Sequence, residues 1–272
     1  MRNLNQTLKY IGKNLIFAFG FALLPACFVG AFLKPFSTIT FIVDYKNLVV
    51  SNFGDILKPL FGMSWVELIN WILAIILFVV MMSAYLGNIE NHFKSGKLNP
   101  SSTGDFINNN ALIVSTYVFI FLLAYLAYKF LLALVCFIVH IVFGCLGSAP
   151  TLAPYILFVI ICVASLLVVA YFFATIIIAL VHTTICGYSI STSFSDANDI
   201  VSKRVWEIIF LVALPFVVVL PLVVLGHVFS FALIANLTSV FLLYMYYPVL
   251  AYTMYFDYSR ITRYDNVKRY YY

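Results

Sequence analysis

Long apolar runs, divided by short polar stretches, extend through this chain from end to end. They cover residues 14–34, 66–87, 111–146, 155–183, 204–225 and 229–255. A hydrocarbon layer roughly 30 Å thick takes about 20 apolar residues of helix to cross, so each run predicts a membrane span. The run at 111–146 is ambiguous, since it is too long for one upright helix and barely long enough for two with a turn. Lys129 lies inside it, and a lysine at mid-bilayer depth is costly enough to predict a place near an interface or beside a partner.

The polar stretches between the runs have patterns of their own. Leu4, Leu8 and Ile11 recur at helical spacing and predict a short amphipathic helix at the start of the chain. Residues 35–65 leave the membrane in the longest excursion, whose aromatic Lys58-Pro59 region reads equally as an interfacial segment or a plain loop. Residues 88–110 carry Glu90, His92, Lys94 and Lys97 and are punctuated by Gly96, Pro100 and Gly104, which predicts a loop. The elbow at 187–215 predicts a second amphipathic helix. There Ser193 or Ser195 would cap its start, Ala197, Ile200 and Val201 would form its apolar stripe, Lys203 would pair with Glu207, and Trp206 would anchor the interface. The basic, tyrosine-rich tail at 256–272 suits either an anionic leaflet or solvent.

Composition fixes the class. With 64% hydrophobic residues, 9% charged and a mean hydropathy of +1.07, the chain has far fewer charges than a water-soluble domain, where about a quarter of residues carry one. The expectation is an all-α polytopic bundle forming one membrane domain over residues 1–272. The net charge of +5 sits beside the apolar runs rather than on a separate module, so it predicts topology and no nucleic-acid partner. Reading 111–146 as one helix gives six spans. Arg2, Lys9, Lys13, Lys94, Lys97, Lys203, Arg204, Arg260, Arg263, Lys268 and Arg269 then share one side, opposed only by Lys34, Lys46 and Lys58. The positive-inside rule therefore predicts a cell-membrane protein with both termini cytoplasmic.

Spacing also predicts an internal repeat. Gly96 and Gly187 lie 91 residues apart, as do Asp105 and Asp196, while Lys13 and Lys203, and Pro25 and Pro215, lie 190 apart. Three helical hairpins, over 1–95, 96–186 and 187–272, account for both offsets.

Candidate chemistry is sparse. Pro25, Pro215, Pro221 and Pro248 are candidate helix breaks, because each frees a backbone carbonyl and broken helices build substrate sites in many transporters. Lys129 is the one cation within a span, with Glu67 its only conceivable acidic partner. Glu90, His92 and Asp105 could support acid-base work in the loop, and Lys97 is a further candidate polar site there. His140, His182 and His227 are scattered, and the cysteines Cys27, Cys136, Cys145, Cys162 and Cys186 read as packing residues. Leu24-Pro25-Ala26-Cys27 outlines a lipoprotein cleavage box, but the apolar run continues past it, so the first helix is expected to stay uncleaved. No phosphate-cradling loop, metal motif or nucleophile elbow is present, so no catalytic residue, metal or cofactor is expected.

The sequence Gly187-Tyr188, Ser195-Asp196-Ala197, Lys203-Arg204-Val205-Trp206 before a long apolar helix resembles the membrane-domain superfamily found attached to bacterial glycerophosphodiester phosphodiesterases. It is also similar to small multi-span proteins of Firmicutes type, with Glu90, His92, Gly96-Lys97 and Asn108-Asn109 fitting an equivalent inner loop. The resemblance implies a bacterial helical membrane module; the phosphodiesterase activity does not carry over, since no catalytic barrel accompanies it. Beyond the lipid bilayer, the partner expected is a membrane or cytoplasmic protein. Three functions follow, each with a structural signature. A permease-like or accessory subunit implies a cavity between hairpins, lined by the broken helices. A lipid-handling enzyme implies Glu90, His92 and Lys97 converging at one interface. A scaffold implies a tightly packed bundle without a cavity.

Overall fold

In hydrocarbon every backbone N–H and C=O has to be satisfied inside its own segment, which leaves helix as the economical solution for runs like these. The computed structural model describes residues 2–44, 50, 52–62, 64–145 and 152–265, and the regular elements among them are all helical. In chain order they are α1 (Arg2–Lys13), α2 (Leu15–Phe28, prolonged by a π-helical turn Val29–Leu33), α3 (Ser37–Asp44), α4 (Phe53–Phe61) and α5 (Trp65–Ser95). After a 3₁₀ turn, Pro100–Ser102, come α6 (Thr103–Cys145), α7 (Leu152–Cys186), α8 (Ile190–Ser202), α9 (Val205–Ala213), α10 (Phe216–Val228) and α11 (Ala232–Tyr258). Lys46, Lys268 and Arg269 lie outside the described residues, as does the side chain of Cys145.

Among the described residues, six segments are long and apolar enough to span a membrane: α2 with its π turn, α5, α6, α7, α9–α10 and α11. The protein is a multi-pass membrane protein whose spans form three successive hairpins, α2 with α5, α6 with α7, and α10 with α11, with the most extensive packing between the first two, α5 against α6. The central post is α11, which touches α1, α2, α5, α7 and α10. Every residue from Tyr244 to Phe256 on it is buried, as expected of a helix surrounded by others. Half of its most apolar window is buried, against 11% for α6 and for α7, so that hairpin stands at the rim and shows its side chains to lipid. Both ends of the described chain meet at one end of the bundle: Arg2 pairs with Asp257, and Asn3 Nδ2 donates to Tyr258 Oη at 3.3 Å.

The structure bears out the one-helix reading of the ambiguous run and corrects several other local expectations. The run at 111–146 belongs to a single helix, because nothing between Gly104 and Gly144 interrupts it; Leu146 itself lies outside the described residues. At 43 residues α6 is about 65 Å long, so it projects well beyond the hydrocarbon. The predicted loop at 88–110 shrinks to residues 96–102, since α5 continues to Ser95 and buries Asn88, Ile89 and Phe93. Gly96 ends it at φ 68°, a left-handed conformation that glycine adopts without steric cost. Of the four prolines only Pro215 lies at a break; α2, α10 and α11 run through Pro25, Pro221 and Pro248. The cap of α8 is Ser189, whose Oγ accepts from Thr192 N at 3.3 Å, while Ser193 is buried within the helix. Glu207 pairs with Arg204, at 3.5 Å, and not with Lys203. Cys136 and Cys162 are buried as expected, whereas Cys27 and Cys186 are exposed.

The ambiguous excursion contains two short helices. A capping box closes the start of α4: Asn52 Oδ1 accepts from Asp55 N at 3.2 Å and Asp55 Oδ2 accepts from Asn52 N at 3.0 Å. Ile56 and Leu60 then pack with Phe41 of α3 against Leu132, Ala133, Cys136 and Phe158. Thus α3 rests on α10 and α4 on α6, joining two hairpins at the end of the bundle remote from α1.

The two elbows match in detail. Asn3 and Thr7 of α1 are buried, and so are Ser193 and Ala197 of α8, each pair 190 residues apart. The break after α1 falls at Asn14 (φ −117°, ψ 31°) and the break after α8 at Arg204 (φ −142°, ψ 38°), again 190 residues on.

Candidate functional site

Proline has no amide hydrogen, so Pro215 leaves the Leu211 carbonyl, four residues earlier, without its helical donor. Tyr246 Oη donates to that carbonyl at 2.9 Å, and Tyr247 Oη donates to the carbonyl of Val212 at 2.8 Å. The polar groups at the break are therefore answered by two phenols of α11, packed inside the bundle. Around them the space is filled by rings: Tyr247 meets Phe173 edge-on at 4.8 Å, and Tyr85 stacks on Phe21 at 5.7 Å and on Tyr244 at 5.9 Å. Immediately before Tyr246 on α11, the Met245 carbonyl accepts from Tyr85 Oη at 3.4 Å. Pro25 is buried at the α2–α10–α11 seam, beside Ala26 and Val29, which pack with Val219, Val223 and Val240. Replacing both Tyr246 and Tyr247 by phenylalanine removes only the donors and leaves two buried carbonyls unmet. The expected loss is about 2–4 kcal/mol, read as a lowered unfolding midpoint in detergent micelles, with each single variant losing roughly half.

Lys129 lies at the α3–α4 end. Its Nζ donates to the Leu60 carbonyl at 2.9 Å and sits 5.0 Å from the ring centre of Tyr125 and 5.8 Å from that of Phe61. Glu67 does not reach it, being engaged by Lys34 at 2.7 Å. Tyr125 is itself fixed, its hydroxyl donating to the Pro35 carbonyl at 3.2 Å with Thr38 Oγ1 at 3.1 Å. Nearby, His227 Nε2 approaches Asp44 Oδ2 at 3.0 Å, tying α10 to α3.

At the opposite end, Glu90, His92 and Lys97 are not brought together. Glu90 and His92 are two residues apart on α5 and so point to nearly opposite faces. Glu90 Oε1 pairs with Lys94 at 2.6 Å, and its Oε2 accepts from Tyr252 Oη at 3.5 Å. His92 Nδ1 lies 3.0 Å from Tyr10 Oη. Burial pushes the Tyr10 phenol above its usual range, so it stays neutral and can donate to that nitrogen. Lys97 is exposed on the α5–α6 connection, where its carbonyl accepts from Asn91 Nδ2 at 3.0 Å.

What closes this end is a segment that patterning did not reveal. After α11 the chain turns back, Tyr264 N donating to the Phe93 carbonyl at 2.8 Å. Arg263 Nη2 pairs with Asp265 Oδ2 at 2.9 Å, its guanidinium lies 3.9 Å from the ring centre of Phe93, and its Nη1 donates to Gln6 Oε1 at 3.1 Å. The first residues of the basic tail are thus a strap binding α1 to α5 and α11. A second missed pair is His182 and Asp196, with Nδ1 3.6 Å from Oδ2; His182 is buried on α7 between the rings of Tyr188 and Tyr255. The 91-residue spacing singled out Asp196, but no periodic signal pointed to its neighbour.

Two open surface grooves lie beside α1. One is lined by Arg2, Leu4, Asn5 and Leu8; the other is the seam between α1 and the strap, with Gln6, Asp257 and Arg260 on its walls. Neither is bordered by Pro25, Pro215, Pro221 or Pro248. No family model, curated protein or solved structure matches the chain.

Proposed function

We propose that this integral membrane protein is a non-enzymatic accessory subunit of scaffold type, presenting the connections at the α1–α8 end and the Asp199 flank of α8 to a membrane or cytoplasmic protein partner. The observation that carries this reading is the tyrosine-filled break at Pro215. The carbonyls that a permease would turn toward a substrate accept instead from Tyr246 and Tyr247, and the grooves found lie on the surface beside α1. A lipid-handling enzyme is less well supported, because Glu90, His92 and Lys97 do not share a surface. The clustering of Lys9, Lys13, Lys97, Lys203 and Arg260 at that end supports a cytoplasmic orientation for it and for both termini. The matched breaks at Asn14 and Arg204 support descent of the first and third hairpins from one repeated unit.

Two measurements test the reading. Membrane-impermeant maleimide applied to intact cells is expected to label Lys58→Cys and to spare Lys97→Cys and Lys203→Cys; the reverse pattern overturns the orientation. Extraction in mild detergent is expected to retain a stoichiometric protein partner that is lost on reversing Asp199→Lys on the exposed side of α8. Isolation of the chain alone, with unchanged yield and cellular phenotype in that variant, overturns the scaffold role.

A further inference from the structure

We propose that the two elbows are matched anchors for anionic phospholipid, gripping the same leaflet of the protein's own bilayer. The inference rests on the membrane assignment and not on the scaffold role.

Amphipathicity in α1 runs against what a helix packed on an ordinary core shows. Its buried face carries Asn3, Thr7 and Tyr10, with the side-chain oxygens of Asn3 and Thr7 lacking any hydrogen-bond partner among the described residues. On its apolar flank Leu4 and Ile11 are half-buried against the core, and only the edge at Leu8 is turned outward. Leu8 is exposed, and the exposed strip continues past the break through Leu15 and Ile16, the latter 91% accessible, into the lipid-facing side of α2. A strip continuous with a membrane span faces the same apolar medium, which places this edge of α1 at the boundary between acyl chains and headgroups. Lys9 and Lys13 stand exposed on the other flank, with no ion-pair partner among the described residues.

The second elbow repeats the arrangement. Lys203 is exposed and has no ion-pair partner among the described residues, as with Lys13; Trp206, 76% accessible, stands where Ile16 does, three residues after its lysine. Both lysine and apolar pairs thus recur at the 190-residue offset, each at the point where an amphipathic helix gives way to a span. A large apolar side chain at that depth belongs among the upper acyl carbons, and a lysine three residues earlier belongs among phosphates. Cations held there without a carboxylate favour a headgroup with net negative charge over a zwitterionic one, by about fivefold in local abundance for each lysine. The strap supports the arrangement, since Arg263 holds Gln6 and so fixes which flank of α1 is outward.

The test uses the full chain in bilayers of phosphatidylcholine and phosphatidylglycerol. Replacing Trp65 and Trp71 by phenylalanine leaves Trp206 as the sole tryptophan, excited selectively at the red edge of the absorption band, and adding Ile16→Trp in a Trp206→Phe background reports the first elbow. Bromine is placed on the upper acyl carbons of one lipid at a time. Brominated phosphatidylglycerol is expected to quench each tryptophan several-fold more than its mole fraction predicts. That enrichment should fall about fivefold at Trp206 in Lys203→Gln, and about as much in Lys13→Gln at the tryptophan that Ile16→Trp introduces, with Lys97→Gln changing neither. Equal quenching by both lipids, quenching by neither because protein covers the elbows, or an equal loss in Lys97→Gln each overturns the proposal. The substituted lysines are exposed, so an unchanged unfolding midpoint confirms that a lost enrichment is not lost folding.

Discussion

Arg263→Ala is expected to destabilise the protein by about 3–5 kcal/mol, the largest effect of any single substitution at the α1 end. The guanidinium is only 9% exposed and the Asp265 carboxylate 5%, so the pair is nearly withdrawn from water. Removing the cation strands a buried carboxylate, and that desolvation cost exceeds what the attraction itself contributed. The same change deletes the contact with the Phe93 ring and the hydrogen bond to Gln6, each adding a smaller loss. Because Gln6 belongs to α1 and Phe93 to α5, loss of the strap should also loosen α1. A maleimide-reactive cysteine at buried Thr7 should become accessible at a temperature where the parent protein protects it. The pair-deletion variant Arg263→Met with Asp265→Leu separates the two contributions. If stranded charge dominates, the double variant recovers most of the unfolding midpoint; equal losses in the single and double variants would show that the ring and Gln6 contacts dominate instead. An unfolding midpoint in Arg263→Ala within a degree of the parent would refute the buried strap.

The spans were legible because bilayer thickness sets a length and apolar runs of that length leave few alternatives. Even the run at 111–146 contained its answer, since between Gly104 and Gly144 no proline or glycine is available to turn the chain. The extension of α5 was not legible, because Asn88, Glu90, Asn91 and His92 have loop composition. Their polarity is accommodated within the helix, where Asn88 Nδ2 donates to the Ala84 carbonyl at 2.9 Å and Lys94 pairs with Glu90 one turn back. Sequence identifies a proline but not the neighbour that answers its freed carbonyl, so Pro215 could not be told from Pro221 or Pro248. Tyr246 and Tyr247 read as apolar filling in a membrane run, and only tertiary packing shows their hydroxyls to be donors. The strap joins residues more than 160 positions apart, Arg263 to Phe93 and Gln6, through contacts with no periodicity.

Packing without a solvent-driven force between helices makes close approach the main source of affinity inside a bilayer, and the glycines mark where it is closest. At Gly87 on α5, a Cβ would stand 2.5 Å from Phe106 Cβ and 2.6 Å from its Cγ on α6. At Gly30 in the π turn after α2 it would stand 2.9 Å from the Leu237 Cα of α11, which is backbone and has no rotamer to yield. Gly87→Val is therefore expected to cost about 3 kcal/mol, at the upper end of overpacking, and Gly30→Val at least as much. The two differ in what relieves them. Alanine at 106 would keep the Cβ that stands closest, so relief requires Phe106→Gly, which removes every contacting atom; Gly87→Val with Phe106→Gly should be more stable than Gly87→Val alone, a sign reversal for a change that by itself removes a partly buried ring. No side-chain trimming at Leu237 can do the same for Gly30→Val, because the obstacle there is the main chain. Resistance to unfolding in mixed micelles, measured for both cycles, checks the distinction. Rescue at both sites would mean that α11 can shift, and absence of rescue at Gly87 would mean that Phe106 is not what limits the approach of α5 to α6.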